Sequence, residues 1–304
     1  MPEQQPKDTE YSLNVIQENE YKVNYEKQLN EMITFFQDLD CIVNVTSEFD
    51  ILLEDYDIAI NFRGLNLYTH DKTSAMDYNK KDYELADQKK LRLVTIFSDE
   101  WTNNRTKVED TLRYFVQKAE KGIPARKCTI REIVWKDAKP FLNKYHLLNS
   151  GSPTKIKLGA FYKDDLIAVM TFGRPSSEKG VTDYYEMTRF VTDKKTHPGL
   201  ASKMFKHAVK EYSLTKVVAF VDKRWFTGGF KLISGFEVIG KTHPTKWYTD
   251  GTQRFHRRFI TKKTLTTKYG FSSEISKNVA MYSLGYKIIY DCGKIKLEWK
   301  AKET

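Results

Sequence analysis

The sequence predicts an α/β protein: a mixed-sheet domain, a second and strongly basic α/β domain, and a short helix-and-hairpin tail. Three observations predict it. Helical and strand periodicities alternate along the chain, the two halves carry opposite net charge, and Gly, Ser and Pro gather between about residues 122 and 153. A length of 304 residues is enough for two ordinary cores, and 40% hydrophobic with 30% charged residues is the balance of a folded, well-solvated chain. The expected boundaries are a flexible polar segment over 1–20, a first domain over 21–125, a second over 126–264, and a tail over 265–304.

Within the first domain, Val23, Leu29, Met32, Ile33 and Phe36 recur at helical spacing and predict a helix over about 22–38. The short apolar runs "CIVNV", "FDILL" and "DIAINF" read as consecutive strands, residues 78–90 as a charged helix, and "LRLVTIF" as a further strand. Val108, Leu112, Phe115 and Val116 mark the next helix. In the second domain "KLGAFYKDDLIAVMTFG" reads as two strands turning at Lys163-Asp164-Asp165, "YYEMTRFVT" as a strand, "ASKMFKHAVKEY" as an amphipathic helix, and "KVVAFVD" as a central strand buried on both faces. In the tail, Ser272 or Ser273 can cap a helix reaching about Leu284, Gly285 can end it, and "YKIIYDCGKIKLEW" reads as a hairpin turning at Asp291–Gly293.

No apolar run reaches membrane-spanning length, and the N-terminus lacks the basic-then-apolar order of a signal peptide, so the expected setting is the cytoplasm without a membrane partner. Cys41, Cys128 and Cys292 are too few and too scattered for a disulfide framework or a zinc cluster. The net charge of +10 divides unevenly: residues 1–150 hold 21 basic and 26 acidic side chains, whereas 151–304 hold 29 and 14. The first half repels a phosphate backbone and the second attracts one.

The run "FDILLEDYDIAINFRGLNLYTH...YNKKDYELADQKKLRLVTIFSDEW" resembles very-short-patch-repair-like endonucleases and phage homing endonucleases of the restriction-endonuclease fold, over about 45–115. The resemblance implies Asp50 as a catalytic and metal-binding aspartate, with Mg²⁺ the metal of an active site; apart from the resemblance, Asp55, Asp57, Asp99 and Glu100 remain possible ligands. The resemblance also places Asn61 where an acidic residue is usual, Tyr68 and Asn79 near the usual histidines, and Asp82 near the usual lysine; His70, Lys80 and Lys81 are displaced substitutes. Because an amide holds a divalent ion weakly, the expected site is impaired.

In the second half, "LIAVMTFGRP", "YYEMTRFVT", "THPGLASKMFKHAV", "KVVAFVD" and "FKLISGFEVIG" together resemble the GCN5-related acyltransferase fold over about 155–262, and are similar to the phage Mom DNA-modification proteins. That resemblance implies acyl-coenzyme A or a related donor on the loop before the main helix, with Gly199 and Ala201 matching the motif, Thr196 departing from it, and Lys194 and Lys195 beside it. It also points to Glu186, Arg189 and Asp222 as residues that could ring a site at a strand end, with Glu186 and Asp222 as acid/base candidates and Arg189 as a nucleic-acid contact. Interleaved cations and aromatics, Lys223, Arg224, Trp225, Lys246, Trp247, Arg254, Arg257 and Arg258, suit double-stranded DNA, unless the rings form a strand core. The leading expectation is a phage-derived DNA-binding protein with an impaired nuclease half. The alternatives are a magnesium-dependent endonuclease, a DNA-modifying acyltransferase-like enzyme, and a protein that binds a host protein through its acidic half.

Overall fold

The computed structural model describes residues 7–66, 72–175, 184–226, 229 and 235–301, with side chains from residue 22 onward apart from 72–78. The chain divides into two compact units, Met1–Asn103 with Pro244–Cys292, and Asn104–His243 with Gly293–Thr304.

The first unit opens on helix α1 (Lys7–Gln37), which starts well before the expected residue 22. From Lys7 to Gln37 the chain has neither Pro nor Gly and is rich in Glu, Gln and Lys, so nothing breaks the helix. Met32, Phe35 and Phe36 near its end are buried, and Phe35 meets Trp101 edge-on at 6.3 Å. Strands β1 (Ile51–Leu53), β2 (Ile58–Arg63) and β3 (Arg92–Phe97) follow in one sheet. β1 runs antiparallel to β2, and β2 runs parallel to β3 across helix α2 (Lys72–Gln88). Every residue of β2 is buried, as in a strand covered on both faces. "CIVNV" contributes only the bridge between Asn44 and Leu52, and "SDEW" starts helix α3 (Ser98–Asn103).

The second unit contains α4 (Arg105–Phe115), β4 (Thr129–Glu132), α5 (Trp135–Tyr145), β5 (Ile156–Tyr162), β6 (Asp165–Gly173), β7 (Tyr185–Thr192), α6 (Leu200–Glu211), β8 (Lys216–Asp222) and β9 (Glu237–Lys241). α4 was expected in the first domain; it belongs here, with Phe115 edge-on to Phe226 at 5.7 Å. β5 and β6 form the hairpin read from the sequence, with Lys163 at φ 54° in its turn. α6 buries Leu200, Met204, Phe205 and Ala208 against Leu158, Met170, Phe172 and Ala219, at about 1.5–3 kcal/mol for each large side chain. α5 covers the opposite face, placing Ala138, Phe141 and Leu142 on Phe161 and Val169.

After β9 the chain leaves this unit and adds β10 (Lys246–Thr249), β11 (Arg254–His256), α7 (Lys262–Tyr269), α8 (Lys277–Ser283) and β12 (Lys287–Tyr290) to the first one. Tyr248, Ile260, Leu265, Met281 and Ile288 form the core of this segment. Asn79 donates to the Tyr290 carbonyl (2.7 Å) and Asn66 to that of Gly251 (3.0 Å), tying the segment to the first part of its unit. Ser276, rather than Ser272 or Ser273, caps α8 by accepting from Val279 N–H, and Gly285 takes the expected left-handed conformation.

The hairpin expected at Asp291–Gly293 does not form. β12 pairs with β10, whereas β13 (Lys294–Lys300) returns to the second unit and inserts between β8 and β9. Gly293 makes this exit possible: its φ is 74°, and a Cβ there would lie 2.4 Å from the Thr242 carbonyl oxygen. The completed sheet has the order β4-β5-β6-β7-β8-β13-β9 and is antiparallel except between β7 and β8.

Candidate active site

In the first unit the carboxylates serve the fold. Asp50 accepts from the Phe62 N–H (2.7 Å) and lies 3.6 Å from the Arg63 guanidinium, which also contacts Asp82. Asn61 donates to Asp82 at 2.9 Å. Burial raises the Asp50 carboxyl above its ordinary range, partly opposed by Arg63. A buried cation thus joins the two acids, and among the described residues no group of three or more His, Cys, Asp or Glu side chains could hold a metal ion. Asp99, the other expected ligand, pairs with Arg254 Nε at 2.9 Å, and Glu100 meets the same guanidinium. Lys80 forms an exposed pair with Glu84; Tyr68 and His70 lie outside the described residues.

The basic-aromatic run is largely interior. Arg224 and Trp225 are buried, and Arg224 binds Asp222 at 3.0 Å. Asp222 also accepts the Arg224 N–H, so it braces the turn after β8 instead of standing open as an acid or base. Trp247 donates to Asp291 and packs with Leu65, Phe97 and Ile289, while Tyr248 is fully buried. Lys246 donates to Asn278 at 2.6 Å. Arg224, Trp225, Trp247 and Arg254 are therefore packing or ion-pair residues rather than a stacking surface: the first two are buried in the turn after β8, and the other two sit on β10 and β11. Arg257 and Arg258 are exposed, and Lys223 is half-buried.

The second unit contains an opening in its sheet. β7 and β8 pair only through Tyr185–Val217, Glu186–Val218 and Met187–Ala219. Beyond these, Thr188–Thr192 stay with β6 and Phe220–Asp222 with β13, so the parallel strands part toward their carboxyl ends. The chain runs from the end of β7 through a loop into α6, which begins after Gly199 at φ 74°. That loop is pinned: Thr196 N–H donates to the Glu120 carbonyl, Gly122 N–H donates to the Thr196 carbonyl, and His197 receives the Ile123 N–H at 2.9 Å while facing Asp193. Gly122 is required because a Cβ there would lie 2.5 Å from the His197 ring. Lys194 and Lys195, expected to hold a donor, instead pair with Asp110 and Glu120. The first N–H groups of α6, from Leu200 onward, follow Gly199 at this loop.

β7 is irregular near its middle. Thr171 faces Arg189 and Phe172 faces Met187, so Thr188 is an extra residue in β7. A regular strand would put Glu186 and Arg189 on opposite faces; the bulge reverses that parity and lets Glu186 act electrostatically on Arg189. Arg189 donates to the carbonyls of Asn149 and Thr188, at 2.9 and 2.7 Å. Beside it, His146 accepts the Leu148 N–H through Nδ1 at 3.0 Å. Burial, then Arg189 and Lys107, push its pKa down to about 3 from the ordinary 6.5.

His146 is thus neutral in the folded protein where the unfolded chain takes up a proton. Its contribution to stability is complete above pH 6.5 and declines as pH falls toward about 3. Between about pH 6.5 and 5 the wild type should lose about 2 kcal/mol more than His146→Gln, as read by urea unfolding at both values. Equal losses would show that the imidazole protonates freely.

Neither a family model nor a curated protein matches the chain. Solved structures do: an acetyltransferase from Bacillus subtilis in complex with CoA (13% identity, 58% of this chain and 100% of that one, TM-score 0.33). A GNAT family acetyltransferase from Elizabethkingia anophelis with acetyl-CoA bound matches at 16% identity, 58% and 99% coverage, and TM-score 0.33. Aminoglycoside 6'-acetyltransferase type Ii matches at 12% identity, 58% and 99% coverage, and TM-score 0.34. Scores this low carry no argument about activity or acceptor. The architecture itself is α/β, with a seven-stranded mixed sheet in the second unit. The expectation of a phage homing-endonuclease-like, DNA-binding protein with a restriction-endonuclease fold is corrected, and its magnesium-dependent variant with it. Arg63 joins Asp50, the expected metal-binding aspartate, to Asp82, and no metal-holding cluster is present among the described residues.

Proposed function

We propose that the second unit is a group-transfer module that uses an acyl-coenzyme A donor, an acyltransferase. The observation that carries this reading is the parting of β7 and β8 after Met187 and Ala219, next to the loop that enters α6 at Gly199. Strand edges without a ladder between them can hydrogen-bond an extended chain, and a helix start led by a left-handed glycine offers N–H groups to a diphosphate. These features fit the donor that the acyltransferase resemblance implies.

Gly199 and Ala201 would hold the diphosphate, and Thr188–Thr192 would align the extended arm. The donor, when bound, supplies an activated thioester. Glu186, half-buried on β7 at the base of the opening, is the carboxylate placed to accept a proton from an incoming nucleophile, and Arg189 lies on the same face. Asp222 has no such part, being held by Arg224.

Hydrogen–deuterium exchange with and without acetyl-coenzyme A tests the assignment. Protection should concentrate in 188–192, 220–222 and 199–203. Protection absent there, or spread evenly over the chain, would contradict it.

A further inference from the structure

Three basic groups from three separate elements meet beside the parted end of β7. Lys107 lies in the first turn of α4, His146 directly follows α5, and Arg189 is on β7. Val191, two residues after Arg189, packs with the α5 cluster, which places Arg189 on the α5 face of the sheet. The three side chains are organised around one loop. Lys107 Nζ donates to Asn149 Oδ1 at 2.5 Å, Arg189 Nε donates to the Asn149 carbonyl at 2.9 Å, and His146 accepts the Leu148 N–H. Gly151, at φ 67°, leaves space before Arg189: a Cβ there would stand 3.2 Å from Nη2.

The partners of these cations are neutral. Among the described residues neither Lys107 nor Arg189 forms an ion pair, and Glu186 acts on Arg189 only at longer range. Burial is the leading cause that lowers the pKa of all three groups. Half-buried positive charge without a counter-charge is costly in the protein alone and is relieved by a bound anion. A carboxylate would neutralise one of the two permanent cations, whereas a phosphate monoester dianion matches both and gives the imidazole an oxygen to donate to.

We infer that Lys107, His146 and Arg189 form an oxyanion subsite that takes the phosphate monoester of a small acceptor. The word acceptor rests on the group-transfer reading; the anion site does not.

The test uses the full chain and inorganic phosphate. Histidine ring ¹H–¹³C spectra, with His146 assigned through His146→Gln, should show a saturable shift of the His146 signal in the millimolar range. Lys107→Gln and Arg189→Gln should each weaken the apparent affinity about tenfold, with the exposed Lys118→Gln unchanged. Lys107→Gln keeps the test decisive should Arg189→Gln fail to fold, because Lys107 holds only one side-chain amide. No saturable shift, or unchanged affinity in Lys107→Gln, overturns the subsite. Dimethyl phosphate, a monoanionic diester, should bind far more weakly; equal binding overturns the monoester assignment. Coenzyme A calorimetry on the same sample separates the two claims. Phosphate binding without coenzyme A binding removes the group-transfer reading and leaves the anion site standing, and the reverse result removes only the subsite.

Discussion

Arg63→Ala should destabilise the first unit by about 3–5 kcal/mol, the range for removing one partner of a buried ion pair. Arg63 is buried at the end of β2 and stands against both Asp50 and Asp82, each about one-fifth to one-quarter exposed. Without the guanidinium, two carboxylates face each other, and Asp50 is already raised by burial and by Asp82. Native-state hydrogen exchange at Ile58–Arg63 reads the loss. The double variant Arg63→Leu, Asp82→Leu should recover part of it, since an apolar pair leaves one fewer unpaired charge. A loss below about 1 kcal/mol would mean that the pair behaves as a surface salt bridge.

The second large effect concerns Gly199→Val, which should weaken acetyl-coenzyme A binding about thirtyfold or more. A β-branched residue at φ 74° costs about 1–2 kcal/mol in backbone strain, and relief of that strain turns the first N–H groups of α6 away from a diphosphate. The nearest atom to a new Cβ is the Ala125 Cβ at 3.6 Å, so conformation rather than collision causes the loss. Calorimetry checks it. An affinity equal to wild type would place the diphosphate elsewhere.

How much of this was legible in the sequence depended on the range of the interaction. β5, β6, β7, α6 and β8 follow from local signals: continuous apolar runs, a hairpin turn, and an amphipathic repeat opened by Gly199. Local periodicity is indifferent to which sheet a strand joins, so it joined β12 to β13 as a hairpin although Gly293 sends them to different units. α5 went unread because Pro140 interrupts its helical pattern. Asn61 was visible as a departure from a nuclease site. That Arg63, on the same strand two residues later, reaches the same Asp82 became visible only with the strand and α2 placed. In sequence the basic-aromatic run reads as a surface, whereas pairings such as Arg254 with Asp99, 155 positions apart, put much of it inside. Likewise the extra residue at Thr188 decides which face Arg189 takes, and Lys107, His146 and Arg189 are too far apart in sequence for spacing to bring them together.

On the proposed reading, the parted strands and the Gly199 loop receive an acyl-coenzyme A donor. Titration calorimetry of the full chain with acetyl-coenzyme A tests it most directly. One donor per chain, bound at micromolar affinity and weakened by Gly199→Val, is the predicted result; no heat of binding at any accessible concentration of correctly folded protein would contradict it.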